Sequence, residues 1–450
     1  MFVRGFSVFL LVLLTLVGCE SRNDDQVVGK DNMPAQKVPA PEIKPEALFH
    51  EPVNAILVET ATAALPIWRK YAPIKPALIL FSNDPFLEPI PTELEDQAIE
   101  MVRNGSADQI KTRAVDITPN PLLLHRMAVD AAIKADFFSE IIWVLPSKDD
   151  APLPPLEDFR QSMVEAGLIS QTEAATLTKQ GGSFSGSFRG MPVMIGNLSA
   201  IPLPKNPAWI HFDLSFFKPL YKNEVSTPLY PLIFDAFRKI RSAKLISIGA
   251  TISSSNLGGP LSLKIRFIGR DLAHLIANPE SLDASLPELQ ARRAQNLYLE
   301  QFMKKDEILK NCLAMEELAP DDATVKFDLY NVRRTHKQGE LALESLDQAV
   351  ALDPVYALEY IELANTAVEK QRPDAALKLL GKARAIFPGN PLILMQDANL
   401  QGKLGHRDAA MALIQELKDL PWSKVYDKNM PEHLAQLEEA VQDVPVGSTQ

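Results

Sequence analysis

Two side chains of one apolar segment, His211 and Asp213, have the types and the spacing of metal ligands. They belong to the run AWIHFDLSFF at 208–217, and alternate residues of a β-strand point to the same face of a sheet. A third candidate, Asp84, follows the apolar run 77–81, and ligands of open α/β sheets gather at the carboxyl ends of the strands. Carboxylate and imidazole groups suit a divalent ion such as manganese or zinc. Asp84, His211 and Asp213 are therefore the predicted metal ligands.

The chemistry of such a site depends on how many ligands it has. Three protein ligands and a water molecule can form a catalytic zinc site, whereas a centre of two ions needs several carboxylates to offset their charge. His125, next to Arg126 in a predicted helix, is a weaker candidate and is expected to face solvent or a loop. Two interpretations stay open: an active metal-dependent hydrolase, or a fold that has lost its metal.

Short apolar runs and amphipathic segments alternate through the first half of the chain. Short continuous apolar runs are typical of buried parallel strands, and apolar residues three and four positions apart are typical of helices. Their alternation predicts an α/β domain over 53–280, built on a doubly wound, mostly parallel sheet. The predicted strands are 77–81, 140–145, 191–195, 208–214 and 244–250, and the predicted helices are 92–102, 121–135, 156–166, 171–179, 229–241 and 261–277.

A glycine-serine run, GGSFSGS at 181–187, interrupts this pattern. It lacks the spacing and the terminal lysine of a phosphate-binding loop, so it predicts a hairpin or a mobile flap. Ser185 within it has no strand-to-helix elbow, which does not favour a serine hydrolase.

Four segments of the α/β region resemble the arginase-deacetylase fold, and in particular an uncharacterised arginase-like family. In that family an Asp-x-His loop follows the first strand, and a later strand carries alternating aspartates before two phenylalanines. By position, Asp84 matches the loop, and the alternating positions are matched by His211, Asp213 and Ser215. The segments are LILFSNDPF at 78–86, the stretch 119–146, WIHFDLSFF at 209–217 and KLISIGATISSS at 244–255.

The chain departs from the family pattern at two positions. The loop histidine is missing from Ser82-Asn83-Asp84, and the third alternating position is Ser215, a poor metal ligand. The resemblance implies a metal-dependent hydrolase of a C–N bond if the ligands suffice, and a degenerate hydrolase-like domain if they do not.

The N-terminus has the features of an export signal. Arg4 precedes an apolar run at 6–17, which is too short to span a ~30 Å hydrocarbon core but suits a signal peptide. The sequence LVGC at 16–19 resembles the bacterial lipobox, which implies a signal peptide at 1–18 and lipidation of Cys19; an uncleaved anchor or an ordinary signal peptide would also export the chain. Glu20 favours the outer membrane. We therefore expect a lipid-anchored protein of the cell envelope, at the periplasmic face of the outer membrane.

The segment 19–52 is polar and interrupted by prolines, which predicts a flexible tether. The chain has two cysteines, so lipidation of Cys19 leaves Cys312 without a disulfide partner. The apolar neighbours of Cys312 favour a buried thiol on a helix.

Beyond position 289 the pattern becomes helical and periodic. Three prolines recur every 34 residues, and three alanines recur with the same period. Helix-ending prolines and small packing residues at this period resemble the tetratricopeptide repeat. The prolines are Pro320, Pro354 and Pro388, and the alanines are Ala342, Ala376 and Ala410. Further packing alanines at matching phases are Ala349, Ala364, Ala383 and Ala398.

The predicted repeat array covers 289–442, and 443–450 is a predicted disordered tail. Its units are 323–356, 357–390 and 391–422, after a degenerate first unit that has Ile308 where the others have alanine. A capping helix at 431–441 would cover the last apolar face. The family forms a groove that holds peptides or other subunits, so another protein or peptide is the expected partner.

Composition limits the remaining functions. The net charge is −11, with 57 acidic and 46 basic side chains, so nucleic acid is not an expected partner. The leading hypothesis is a lipid-anchored scaffold or assembly protein that binds its partner through the repeats and carries a degenerate hydrolase-like domain. The alternative is a metal-dependent C–N hydrolase with the repeats as a docking arm.

Overall fold

The computed structural model describes residues 45–114, 118–147, 151–202, 204, 206–254 and 263–443. The predicted signal peptide, Cys19, positions 19–44 of the predicted tether and 444–450 of the predicted tail lie outside the described residues. Within them, no helix combines the length and the apolar character that crossing a bilayer requires.

In the described part of the first domain, nine strands form one mixed sheet. The strands are β1 (Glu46–Ala47), β2 (Ala55–Val58), β3 (Ala77–Phe81), β4 (Glu140–Val144), β5 (Thr178–Gln180), β6 (Ser183–Phe188), β7 (Met191–Gly196), β8 (Ala208–Asp213) and β9 (Ile246–Ser253). Parallel pairing joins β2, β9, β8, β3, β4 and β7 in that order. An antiparallel hairpin of β6 and β5 extends the sheet beyond β7, and β1 pairs antiparallel with β9. The carboxyl ends of β3, β8 and β9 therefore meet at one edge.

Helices cover both faces of this sheet. They are α1 (Leu65–Tyr71), α2 (Thr92–Asn104), α3 (Ala107–Arg113), α4 (Ala128–Lys134), α5 (Leu156–Glu165), α6 (Gln171–Thr176), α7 (Leu229–Ser242) and α8 (Phe267–Ala277). A hydrophobic core lies on each face of the sheet, and strand β3 contributes side chains to both. Leu78 and Leu80 pack on the face with α1 to α6, whereas Ile79 and Phe81 pack on the face with α7 and α8. Successive side chains of this buried strand thus point to opposite faces of the sheet and contribute to two separate hydrophobic cores.

The first domain begins earlier than predicted. Leu48 and Phe49 are buried in the core beside α7, and β1 precedes them, so the predicted tether cannot extend to position 52. Their burial comes from tertiary contacts that a short, proline-flanked segment does not reveal.

Two local predictions also need correction. The predicted helix at 121–135 starts only at Ala128, after a 3-10 turn at His125–Met127, and the predicted helix at 171–179 ends at Thr176. Part of that segment and the glycine-serine run form the β5–β6 hairpin, whose turn contains Gly181 at φ 58°. The hairpin interpretation of this run is confirmed.

The second domain is a helical repeat array. Its helices are α9 (Glu288–Glu300), α10 (Lys305–Leu318), α11 (Ala323–Thr335), α12 (Gly339–Leu352), α13 (Leu358–Glu369), α14 (Pro373–Ile386), α15 (Pro391–Lys403), α16 (Arg407–Lys418) and α17 (Met430–Gln442). The first eight form four pairs, each packed as a helical hairpin. The array therefore contains the degenerate first unit as a full helix pair.

The turns inside the four pairs share one backbone geometry at one period. A residue with positive φ stands at Met303, Lys337, Gln371 and Gly405, each 34 positions after the last. The second helices of the pairs begin in the same register. Only one of these four residues is glycine, so the turn geometry is kept even where the side chain does not favour it. The repetition of this geometry shows that the pairs are copies of one unit.

The predicted packing positions lie where the helices meet. Each of the seven alanines is buried, and Pro320, Pro354 and Pro388 each stand two positions beyond the end of a second helix. The alanines are Ala342, Ala349, Ala364, Ala376, Ala383, Ala398 and Ala410.

The last helix covers the open end of the array. Leu434 and Val441 of α17 are buried against α15 and α16, and Val441 lies directly on Gly402 of α15. A Cβ at position 402 would come within 2.5 Å of Val441 Cγ2. Close packing of this kind requires glycine.

We expect Gly402→Ala to weaken the attachment of α17 by about 1–3 kcal/mol, because the added methyl group overpacks this contact. Thermal unfolding and limited proteolysis near residue 430 measure the loss. Val441→Ala in the same chain should restore much of it, since the clashing Cγ2 is then absent. Gly381→Ala in α14, where a Cβ meets open space, should instead stabilise the helix by about 0.5–1 kcal/mol. Equal effects at both glycines would contradict the contact.

Both ends of the array contact the first domain. At the first helix pair, Lys264 forms an ion pair with Glu300 of α9, and Arg270 of α8 forms one with Asp322 at 3.1 Å. Arg266 lies 3.9 Å from Asp353, which follows α12. At the other end, the backbone N–H of Ser423 donates to the carbonyl of Pro119 at 2.8 Å, and the Tyr426 hydroxyl donates to Met127 Sδ at 3.5 Å. The array is thus held at its first and last units.

Candidate functional site

The predicted site residues lie where β3, β8 and β9 end. His211 and Asp213 occupy the same face of β8, as the alternation predicts, and the paired residues on β9 are Thr251 and Ser253. His211 and Asp213 are both 0% exposed. The rings of Trp68 and His211 meet edge to face, with their centroids 5.2 Å apart. The pair is therefore sealed inside the protein.

A chain of hydrogen bonds fixes the tautomer of His211. The indole N–H groups of Trp68 and Trp209 both donate to Thr251 Oγ1, at 3.2 and 3.1 Å. These two donors use both acceptor sites of the hydroxyl, so its own proton goes to His211 Nδ1, 2.8 Å away. His211 consequently carries its proton on Nε2.

The chain continues to Asp213. His211 Nε2–H donates to Ser253 Oγ at 3.1 Å, and the Ser253 hydroxyl in turn donates to Asp213 Oδ2. The other carboxylate oxygen accepts the backbone N–H of Ser215 at 3.0 Å, which makes Asp213 the N-cap of a 3-10 turn at Leu214–Phe217. Every donor in the chain thus points toward one buried carboxylate.

Asp84 lies beside this chain, and its hydrogen bonds are with residues two positions away along the sequence. Its Oδ1 accepts the backbone N–H of Phe86 at 2.7 Å, and its own backbone N–H donates to Ser82 Oγ at 3.0 Å. Ser82 Oγ and Ser215 Oγ are 3.4 Å apart, which links the β3 end to the β8 end. Asp84 therefore acts mainly as a turn former.

Burial sets the protonation of these groups. Desolvation lowers the pKa of His211 to about 3, which keeps the imidazole neutral. Desolvation also raises the pKa of Asp213 to about 6, against the hydrogen bonds from Ser215 and Ser253, and the charge of Asp84 raises it further. Asp84 has its own pKa raised by desolvation.

The donor set does not fit a divalent ion. Both nitrogens of His211 and both oxygens of Asp213 are engaged by protein groups. Ser215 acts on Asp213 as a hydrogen-bond donor, through both its backbone and its side chain. Within the described ranges, no group of three or more His, Cys, Asp or Glu side chains is arranged to hold a metal ion. His125 does not complete the set. It was expected to face solvent or a loop, and its burial excludes the first of these. The geometry supports a structural hydrogen-bond chain.

A second polar cluster lies at the junction of the two domains. Arg293 of α9 is 3% exposed; its Nη2 donates to Asp322 at 3.0 Å and to Thr324, and its guanidinium stacks on Phe267 of α8 at 4.7 Å. This residue joins the first two helix pairs to the sheet domain. Cys312 is buried nearby on α10, as predicted, and accepts a hydrogen bond from Asn296 Nδ2 at 3.3 Å.

Comparison with known proteins gives a limited likeness to three solved structures. No protein-family model and no curated protein sequence matches the chain. Two crystal structures of MamA are 16% and 18% identical, each with a TM-score of 0.24; they cover 34% and 35% of this chain and 87% and 91% of their own. YrrB, described as a TPR protein with an unusual peptide-binding site, is 13% identical with a TM-score of 0.22, over 42% of this chain and 94% of its own. The repeat assignment rests on the 34-residue register of the four helix pairs.

The residues that engage His211 were not among the predicted site residues. Thr251 and Ser253 stand in the segment that carries the arginase-like resemblance, and their alternation in ATISS was the available signal. Arg293 was not predicted either, because nothing in the sequence distinguishes this buried arginine from the more exposed Arg292 beside it. Both omissions concern partners that only the tertiary structure brings together.

Proposed function

We propose that the chain is a scaffold protein whose helical repeat array binds another protein, while the sheet domain positions that array. One observation carries this proposal. Leu318, Leu352 and Ile386 are the last residues of α10, α12 and α14, and they stand 34 residues apart. They are exposed at 47%, 42% and 36%. Because the units are in register, these three side chains form an apolar row along one edge of the array.

Exposed apolar side chains concentrate in this domain. Of the thirteen large hydrophobic residues that are exposed in the described part of the chain, nine belong to the array. Single exposed apolar side chains are ordinary, but grouped ones mark surfaces for other proteins. The array therefore offers the surface that a partner protein would cover.

The finer parts of the proposal rest on the sequence. The lipobox-like LVGC at 16–19 supports lipidation of Cys19 and an anchor at the periplasmic face of the outer membrane. The polar segment after Cys19 would then separate the folded part from the bilayer.

We also propose that the first domain is a degenerate, doubly wound member of the arginase-like fold. The sealed His211 and Asp213 support it, because a hydrolase needs its ligands open to substrate and water. In this interpretation the old site has become a structural hydrogen-bond chain.

Site-specific photocrosslinking tests the scaffold role. A photoreactive amino acid placed at Leu318, Leu352 or Ile386 of the full-length protein in its native membrane should give a crosslinked adduct of one defined size. Mass spectrometry then identifies the partner, and deletion of the array should remove that partner from a detergent extract.

The chain offers a matched control row. Lys310, Glu344 and Lys378 lie on the same three helices, are exposed, and are also 34 residues apart. Crosslinkers at these positions should give no adduct of that size. An equal yield from both rows, or no adduct from the apolar row, would refute this docking surface.

A further inference from the structure

A cavity of about 200 Å³ opens at the junction between the sheet domain and the first two helix pairs. Apolar side chains from four helices form its walls, including Phe267 of α8, Leu297 of α9, Ile308 of α10 and Val332 of α11. Met303 forms part of its rim and is 79% exposed. The cavity thus has an apolar interior and a mouth that reaches the surface.

Two buried polar atoms of the lining have no hydrogen-bond partner among the described residues. Asn296 is 7% exposed; its Nδ2 donates to Cys312 and Met315, but its Oδ1 accepts nothing. Arg293 is 3% exposed, and its Nε–H donates to nothing. Buried polar groups are normally paired, so an unpaired acceptor and an unpaired donor in one cavity indicate a ligand that supplies both partners.

The charges around the cavity are mostly compensated within the protein. Lys264 forms an ion pair with Glu300, and Arg293 forms one with Asp322. Lys305 is exposed at the rim. Asp328 of α11 differs from these groups, because its carboxylate has no hydrogen bond or ion pair with any other described residue. Desolvation raises the pKa of Asp328 to about 7, against the fields of Arg293 and Lys264.

We propose that this cavity binds the side chain of a lysine or arginine residue carried by a peptide. The aliphatic stem would lie against the apolar walls, as such stems do on protein surfaces. The cationic head would donate to Asp328 and to Asn296 Oδ1. A peptide carbonyl next to it would accept from Arg293 Nε–H, which distinguishes a peptide from a simple amine.

This inference deepens the proposed scaffold role and rests on it, because it names the chemistry of one partner residue. The two can fail separately. If the apolar row crosslinks a partner while the cavity shows no preference for a cation, only the cavity assignment is wrong.

Calorimetric titration of the folded chain, residues 20–450, tests the assignment with three probes. The first is the capped tripeptide acetyl-Gly-Lys-Gly-amide, and the second replaces lysine by norleucine, which keeps the stem and removes the ammonium group. The third probe is 1,5-diaminopentane. We expect the lysine peptide to bind about tenfold more tightly than the norleucine peptide, as hydrogen bonds to charged groups imply. Equal affinities would overturn the proposal, and tighter binding of the diamine would overturn the assignment to a peptide.

Two variants locate the binding. Asp328→Asn should abolish the preference for lysine, while Asp321→Asn, the same change at an exposed position of the same region, should leave it intact. Loss of the preference in both variants, or in neither, would overturn the role of Asp328. The comparison of lysine with norleucine in the unaltered chain needs no variant and stands if Asp328→Asn unfolds.

Discussion

Arg293→Leu is expected to lower the free energy of unfolding by about 3–5 kcal/mol, the usual cost of removing one partner of a buried ion pair. The substitution removes the donor to Asp322 and Thr324 and the cation stacked on Phe267. It also leaves the acidic groups near the junction, including Asp328, without their main compensating charge. Urea unfolding followed by circular dichroism measures the loss.

The neighbouring residue provides the control. Arg292 is more exposed and pairs with Glu288 one helical turn away, so Arg292→Leu should cost about 0.5 kcal/mol. Arg293→Lys should fall between the two leucine variants, because lysine keeps the charge but lacks the planar, multi-donor head. A loss of similar size in Arg292→Leu and Arg293→Leu would show that Arg293 does not hold the domains together.

A second large effect should appear in the pH dependence of stability. The pKa of His211 is lowered to about 3, whereas an imidazole in the unfolded chain titrates near pH 6.5. Between pH 6.5 and 3 the imidazole is protonated in the unfolded chain but not in the folded one. The free energy of unfolding therefore falls by about 1.4 kcal/mol for each pH unit below 6.5. Asp213 acts in the opposite direction. Its pKa is raised to about 6, so its folded form gains a proton first and stability rises as the pH falls from 6 toward 3.8.

Two variants separate these opposing contributions. His211→Gln should be less stable than the original chain at pH 7, and its deficit should shrink by about 3 kcal/mol on going to pH 4. For Asp213→Asn the deficit should instead grow by about 2–3 kcal/mol over the same range, because the cost of burying the charge disappears only from the original chain.

Urea unfolding curves at pH 7, 5.5 and 4, followed by the fluorescence of Trp68 and Trp209 beside the site, measure both differences. Differences between variants cancel the titration of every other group. Deficits that stay constant with pH in both variants would show that neither residue has the perturbed pKa.

The array could be predicted from the sequence because its information is local and repeated. One unit specifies two helices, and the prolines and alanines at the 34-residue period give their ends and contacts. The strand carrying His211 and Asp213 was also predictable to within one residue, since a buried strand is a continuous apolar run.

The environment of that strand could not be predicted. His211 is paired with Thr251 across the sheet, 40 positions later in the chain, and this register decides that its nitrogens meet hydroxyl groups and not a metal ion. Leu48 and Phe49 were missed for a related reason, because their burial depends on α7, far along the chain. In both cases the missing information was long-range pairing.

The attachment of the array to the first domain at both ends fixes its curvature. In a repeat array each unit contacts only its neighbours, so an array without other attachments can change its curvature and length by small shifts between units. Here a change of curvature would have to break either the Lys264 and Arg270 contacts at one end or the Ser423 and Tyr426 contacts at the other. A partner of the proposed scaffold would therefore meet an array of fixed curvature, and its binding would not carry the entropy cost of ordering the array. Selectivity would then depend on the size of the partner as much as on its sequence.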